Sequence, residues 1–313
     1  MNITLLESLG ADEKIIVNFK NQIEAKGYSF TQYSSSKTKE EQIERLKNAN
    51  AVIIANTKMF PEAIEQANNL KYIDIAFTGT DHIPVQLAKE KGIQLSNASG
   101  YATEAVAELT IALMIDILRD IKEADIRTRH QQTKQGLTAN LLGHKTVGII
   151  GAGAIGRQVA KLAKAFGCKV ISYQRHQITD SHIDKQTDLN SLLRESDIVS
   201  IHTPLTDETR NLISKKELEL MKPTSILINT ARGAVVNTKD LADALNNGVI
   251  RAAGIDVFDV EPPIPADNPL LTAKNCLLTP HIGFYTQESM NERAKIVFNN
   301  MLSWLDGNIL NQI

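Results

Sequence analysis

Short aliphatic and β-branched runs recur along this chain, separated by longer stretches in which apolar residues return every three or four positions. In the first hundred residues the runs lie at 3–6, 51–55, 72–76 and 93–96, with mixed-charge helical stretches at 12–26, 39–48 and 61–68. An unbroken apolar run of this length suits a strand buried on both faces, and its alternation with helices predicts a parallel sheet. The pattern then changes. Residues 103–121 predict one long helix that is apolar nearly all round, suited to burial between domains or at a subunit interface. Residues 128–144 are polar and weakly patterned, as in a connector or arm. A second α/β series follows, with strands at 146–150, 169–173, 197–202, 225–229, 252–257 and 276–279. Helices are expected at 188–194, 215–221 and 238–246, and an amphipathic one at 287–305.

The 313 residues suffice for two ordinary domains. A composition 42% hydrophobic and 22% charged is that of a soluble globular protein, and cytoplasm is the expected location. A net charge of −2 leaves no electrostatic footprint for nucleic acid or an anionic membrane. Glu104, Glu108 and Asp116 argue against the long helix spanning a bilayer, and residues 1–6 lack the features of a signal peptide. Cys168 and Cys276 read as two reduced, buried thiols, and no metal site is expected.

The strongest local signal is Gly151-Ala-Gly153-Ala154-Ile155-Gly156, directly after the run 146–150 and directly before helix formers. Gly151 permits the tight turn, Gly153 lets backbone approach a pyrophosphate, and Gly156 lets the helix pack against the strand. The helix N-terminus points unpaired N–H groups at the phosphates. This predicts a dinucleotide site. The acidic residue that usually binds the ribose 2′-hydroxyl at the end of the second strand is missing. Gln174 stands there, followed by Arg175. A neutral amide and a guanidinium accept a 2′-phosphate where a carboxylate repels it, so NADP(H) is the favoured cofactor, with NAD(H) as the other possibility.

Arg232, Glu261 and His281 each lie next to a predicted strand end, where open α/β sheets bind ligands. Arginine can hold a carboxylate bidentately, histidine can move a proton near neutral pH, and a glutamate beside it can orient the ring. Taken singly, each has an ordinary structural explanation; the set downstream of a dinucleotide turn is harder to dismiss.

These motifs, with residues 100–108, Asp197-Ile-Val-Ser-Ile-His-Thr-Pro-Leu205, Asn229-Thr-Ala-Arg-Gly233, Gly254-Ile-Asp-Val-Phe258 and Thr279-Pro-His-Ile-Gly283, make the chain resemble the D-isomer-specific 2-hydroxyacid dehydrogenases over nearly its whole length. The resemblance implies a Rossmann-type doubly wound α/β domain, residues 101–286, inserted in a smaller flavodoxin-like α/β substrate domain made of 1–100 and 287–313. It implies NAD(P)H-dependent interconversion of 2-oxo acids and (R)-2-hydroxy acids, with Arg232, Glu261 and His281 as the catalytic set and His281 as acid/base. Cofactor contacts fall on Thr103, Thr203, Pro204, Thr209, Thr230, Ala231, Asp256 and Gly283 besides the glycine turn, Gln174 and Arg175. Substrate contacts fall on Thr78, Gly79, Arg232 and Tyr285. A homodimer formed through the nucleotide domain is also implied, the helix from Thr103 and the arm after it supplying the contact.

His202 is assigned a structural or cofactor-lining role, and Asp81-His82 is read as capping the next helix. Phe284 and Tyr285 replace the small residues of many relatives and resemble the branch acting on lactate-like or branched-chain 2-oxo acids. Three rivals are a phosphoglycerate dehydrogenase-like enzyme, a formate dehydrogenase-like enzyme and a non-enzymatic nucleotide-sensing protein of the same fold. Glu261 disfavours the second, because that branch carries Gln in its place.

Overall fold

The computed structural model describes residues 1–313. The chain divides into two compact units, Met1–Ala102 with Tyr285–Ile313 and Thr103–Phe284. The first unit opens with β1 (Asn2–Leu5), α1 (Glu13–Ala25), β2 (Ser29–Gln32), α2 (Lys39–Leu46), β3 (Ala51–Ile54), α3 (Pro61–Gln66), β4 (Tyr72–Ile75), α4 (Val85–Glu90) and β5 (Gln94–Asn97). Its sheet is parallel throughout, in the order β2-β1-β3-β4-β5. That is the flavodoxin-like order. Every residue of β3 and β4 is buried, which accounts for the unbroken apolar run of β3 and for that of β4, interrupted only by Asp74.

The second unit holds α5 (Thr103–Arg119), α6 (Ile121–Arg129), β6 (Thr146–Ile150), α7 (Ala154–Ala165), β7 (Lys169–Tyr173), β8 (Lys185–Gln186), α8 (Leu189–Glu195), β9 (Ile198–Ile201), α9 (Lys215–Leu218), β10 (Ile226–Asn229), α10 (Thr238–Asn246), β11 (Ala252–Ile255) and β12 (Cys276–Leu278). Seven parallel strands run in the order β12-β11-β10-β9-β6-β7-β8. The strand order reverses between β6 and β9, the switch point where a doubly wound sheet binds its ligand. α5 packs on α7, β10 and β11 through Leu113, Met114 and Ile117.

α11 (Gln287–Leu305) returns to the first unit, capped by Thr286, whose side chain accepts a hydrogen bond from the Ser289 amide. Phe298 stacks on Phe19 with ring centroids 3.9 Å apart, and Trp304 stacks on Tyr72 at 4.8 Å. Burial of such a side chain contributes about 1.5–3 kcal/mol, so residues 287–305 are integral to this core. Arg293 is only 2% exposed; its guanidinium donates to the Leu9 carbonyl at 2.6 Å and to Asn56 Oδ1 at 3.1 Å, joining the loops after β1 and β3.

Several elements depart from the pattern-based expectation. β2 and β8 are edge strands that bury almost nothing, and β2 buries only Phe30, so neither produces an apolar run. The long helix stops at Arg119, because Asp120 adopts φ 51° and the chain turns before α6. α6 leaves no apolar period in the sequence because none of its residues is buried; the Glu123–Arg127 and Asp125–Arg129 pairs, four residues apart, support it instead. Asp81 does not cap α4. That helix starts at Val85 after Pro84, with no side-chain cap. Cys168 is buried and Cys276 half-buried, both as free thiols. No helix is long and apolar enough to cross a membrane.

Candidate active site

Within the second unit the sequence-selected residues other than Thr103, which opens α5, follow the C-terminal ends of parallel strands and so lie along one end of the sheet. After β6, Gly151 takes φ 91°, and a Cβ there would lie 2.8 Å from the His202 backbone. The crossovers after β6 and β9 therefore touch at the switch point. At Gly156 a Cβ would sit 2.2 Å from the Gly151 carbonyl oxygen, so glycine is what lets α7 close onto its strand. Gly153, by contrast, faces open space and N-caps α7 without a side-chain bond. The residues thus fit a dinucleotide: an uncapped helix start, a backbone cleared of side chains and a tight turn stand together.

Gln174 directly follows β7 and is tied to this turn, its Oε1 accepting from the Ala152 amide at 3.2 Å. Arg175 pairs with Glu208, in the loop after β9, a partner that sequence reasoning missed. In that loop Thr209 Oγ1 donates to the Pro204 carbonyl at 2.7 Å and accepts from the Thr206 amide, also at 2.7 Å. His202 lies at the end of β9, its Nε2 2.8 Å from Ser200 Oγ. Desolvation pushes this imidazole down to about 3, which keeps it neutral and accords with a structural or lining role.

The chemical end is built from the loops after β10, β11 and β12. Asn229 Nδ2 donates to the Arg232 carbonyl at 2.9 Å, and its Oδ1 accepts from the Ala231 amide at 3.1 Å, so one amide side chain shapes the turn that carries Arg232. The Thr230 hydroxyl lies 2.9 Å from that of Thr110 on α5. A Cβ on Gly233 would lie 2.1 Å from the Phe258 backbone, so the loops after β10 and β11 are in close contact. Glu261 turns back on its own loop: Oε2 accepts from the Phe258 amide at 3.1 Å, while Oε1 lies 2.8 Å from His281 Nδ1. A carboxylate at that distance selects the tautomer with hydrogen on Nδ1 and leaves Nε2 for chemistry.

Asp256 does more than a cofactor contact would require. Its carboxylate accepts from Thr279 Oγ1 at 2.6 Å, the Ile282 amide at 2.9 Å and the Gly283 amide at 2.8 Å, and its carbonyl accepts from the His281 amide at 2.8 Å. Burial pushes the carboxyl up, opposed by these hydrogen bonds. His281 itself has φ 55°, an uncommon backbone state that this clamp holds. The Phe284 ring meets the imidazole edge-on, centroids 5.2 Å apart.

In the first unit, Thr78 and Gly79 lie in the loop after β4. Asn97 Nδ2 donates to the Thr78 carbonyl at 2.9 Å, and the Ala98 amide to that of Phe77 at 3.1 Å. Tyr285 is 67% exposed.

A dinucleotide turn at the switch point and a carboxylate-oriented histidine on the same sheet edge define an NAD(P)-dependent oxidoreductase. Residues 111–283 match the model of the D-isomer specific 2-hydroxyacid dehydrogenase, NAD binding domain. A glyoxylate reductase of Thermococcus litoralis is 39% identical over 85% of this chain and 84% of its own. A D-3-phosphoglycerate dehydrogenase of Methanocaldococcus jannaschii is 39% identical over 88% of this chain, which spans 53% of that longer protein. An acyclic imino acid reductase solved with NADPH and D-Arg superposes with a TM-score of 0.91, at 32% identity over the whole of both chains. The chain belongs to the D-isomer specific 2-hydroxyacid dehydrogenase family.

Proposed function

We propose that this enzyme reduces a small 2-oxo acid to the (R)-2-hydroxy acid with NADPH preferred over NADH, and that Arg232, Glu261 and His281 carry the chemistry. The observation behind the reading is the 2.8 Å contact of Glu261 with His281 Nδ1, beside the strand ends that carry Arg232 and the glycine turn. Arg232 holds the substrate carboxylate and polarises its ketone. His281 donates the Nε2 proton to the developing alkoxide. Glu261 fixes the ring and stabilises its charged form before transfer. A bound nicotinamide supplies the hydride. The amides of Thr78 and Gly79 are additional carboxylate donors in this reading, and Tyr285 a substrate contact, both on the strength of the family resemblance.

Glyoxylate heads the substrate candidates, since the Thermococcus litoralis relative is a glyoxylate reductase. Phe284 and Tyr285 keep bulkier 2-oxo acids in contention. Gln174 and Arg175 support the cofactor preference, as no carboxylate stands at position 174 or 175 to repel a 2′-phosphate. We further read α5, the exposed α6 and the arm to His144 as a homodimer contact. Ile121, Ile126 and Leu141 leave apolar surface exposed there, and sedimentation would report the oligomeric state.

The test is the initial rate of NADPH and NADH oxidation against glyoxylate, hydroxypyruvate, phosphohydroxypyruvate, pyruvate, phenylpyruvate and 2-oxoisocaproate. Turnover favouring NADPH supports the reading, and the best acid names the substrate class. Equal kcat/KM with both cofactors removes the preference. No turnover with any acid, despite tight cofactor binding, removes the substrate reading.

A further inference from the structure

Arg175 and Glu208 come from different crossovers, the loops after β7 and β9, yet the Arg175 guanidinium donates to a Glu208 carboxylate oxygen. Both backbones are held. Gln174 bonds to the Ala152 amide, and its Nε2 donates to the His176 carbonyl at 2.7 Å. Gln186 Nε2 donates to that same carbonyl at 3.0 Å. Across from them, Thr209 fastens residues 204–209 through the Pro204 carbonyl and Thr206 amide. The two charged side chains, in contrast, are 61% and 70% exposed and can exchange partners.

We propose that Glu208 is a selectivity-determining residue: it competes with the cofactor 2′-phosphate for Arg175, and so lowers the NADPH advantage that Arg175 would confer alone. This rests on the reading of Arg175 as the 2′-phosphate ligand. An exposed ion pair is weak and opens readily. A phosphate carrying nearly two negative charges outbids a single carboxylate for the guanidinium. The carboxylate must then be displaced from the guanidinium before the phosphate can take its place. NADH brings no such group and leaves the pair intact. The penalty falls on NADPH alone, which makes Glu208 a brake on selectivity.

The experiment measures dissociation constants for NADPH and NADH by fluorescence titration, and for 2′,5′-ADP by calorimetry. It uses the wild type, Glu208→Gln, Arg175→Gln and the double variant. Glu208→Gln should tighten NADPH and 2′,5′-ADP by about two- to fivefold relative to NADH. Arg175→Gln should weaken both phosphorylated ligands by about tenfold or more relative to NADH. In the double variant the gain from Glu208→Gln should vanish. If Arg175→Gln behaves as expected but Glu208→Gln changes nothing, the competition is overturned and the phosphate-ligand reading of Arg175 stands. A gain of equal size with and without Arg175 also overturns it, because Glu208 would then act by direct repulsion. If Arg175→Gln leaves the phosphorylated ligands unaffected, that reading fails and the competition with it.

Discussion

His281 combines an unusual φ of 55° with a carboxylate at 2.8 Å and an amide held by the Asp256 carbonyl. Its ring orientation is therefore prepared before substrate arrives. His281→Ala should lower kcat by about 10²–10⁴-fold, the usual contribution of a positioned acid, while the NADPH dissociation constant changes little. Steady-state kinetics with a fluorescence titration would check both halves, and near wild-type turnover would refute the proton-donor role. His202 should behave in the opposite way. With its imidazole pushed down to about 3, it stays neutral from pH 5 to 8, so its ring resonances should hold still in an NMR titration across that range. At this scale the placement of Arg232, Glu261 and His281 in loops after parallel strands was legible in the sequence, while their catalytic roles belong to the proposal. Glu208 and the clamping role of Asp256 were hidden, because they depend on which crossovers meet in space.

Among the elements, α7 depends on a single missing side chain. Gly156→Ala would place a Cβ 2.2 Å from the Gly151 carbonyl oxygen, so helix and turn must separate. Such overpacking costs about 1–3 kcal/mol. Denaturant unfolding should register that loss, and NADPH and NADH should both bind more weakly because the turn itself moves. A variant with unchanged stability and unchanged affinity for both cofactors would count against the close packing. The central strands were legible because burial on both faces forces continuous apolar runs, as in β3 and β10. β2, β8 and α6 were not, since elements that bury little leave little trace in the pattern.

At the scale of the molecule, stability should carry a pH dependence from Asp74 in β4. This carboxyl is wholly buried; Oδ1 accepts from Asn300 Nδ2 on α11 at 3.1 Å, and burial holds its pKa well above the usual value of 3.8. The folded state thus keeps a proton that the unfolded chain releases. Stability falls as pH rises from about 4 toward the folded pKa, by about 1.4 kcal/mol for each unit of elevation. Asp74→Asn should remove that slope, leaving the variant the more stable partner at pH 8 relative to its standing at pH 4. Urea titrations at both values would show this, and parallel stability curves for the two proteins would refute it.

Because Met1–Ala102 and Tyr285–Ile313 build one body, the first unit remains incomplete on the ribosome while the second is made. At about 5–20 residues per second, that interval lasts about 10–40 s. Through it the faces of Phe19 and Tyr72 that α11 will cover have no cover of their own. The inserted unit needs no later segment and can finish folding first. Vectorial synthesis therefore reverses the order of the chain: what emerges first is completed last, and the nascent N-terminal body is the stage at which a chaperone has the most to bind.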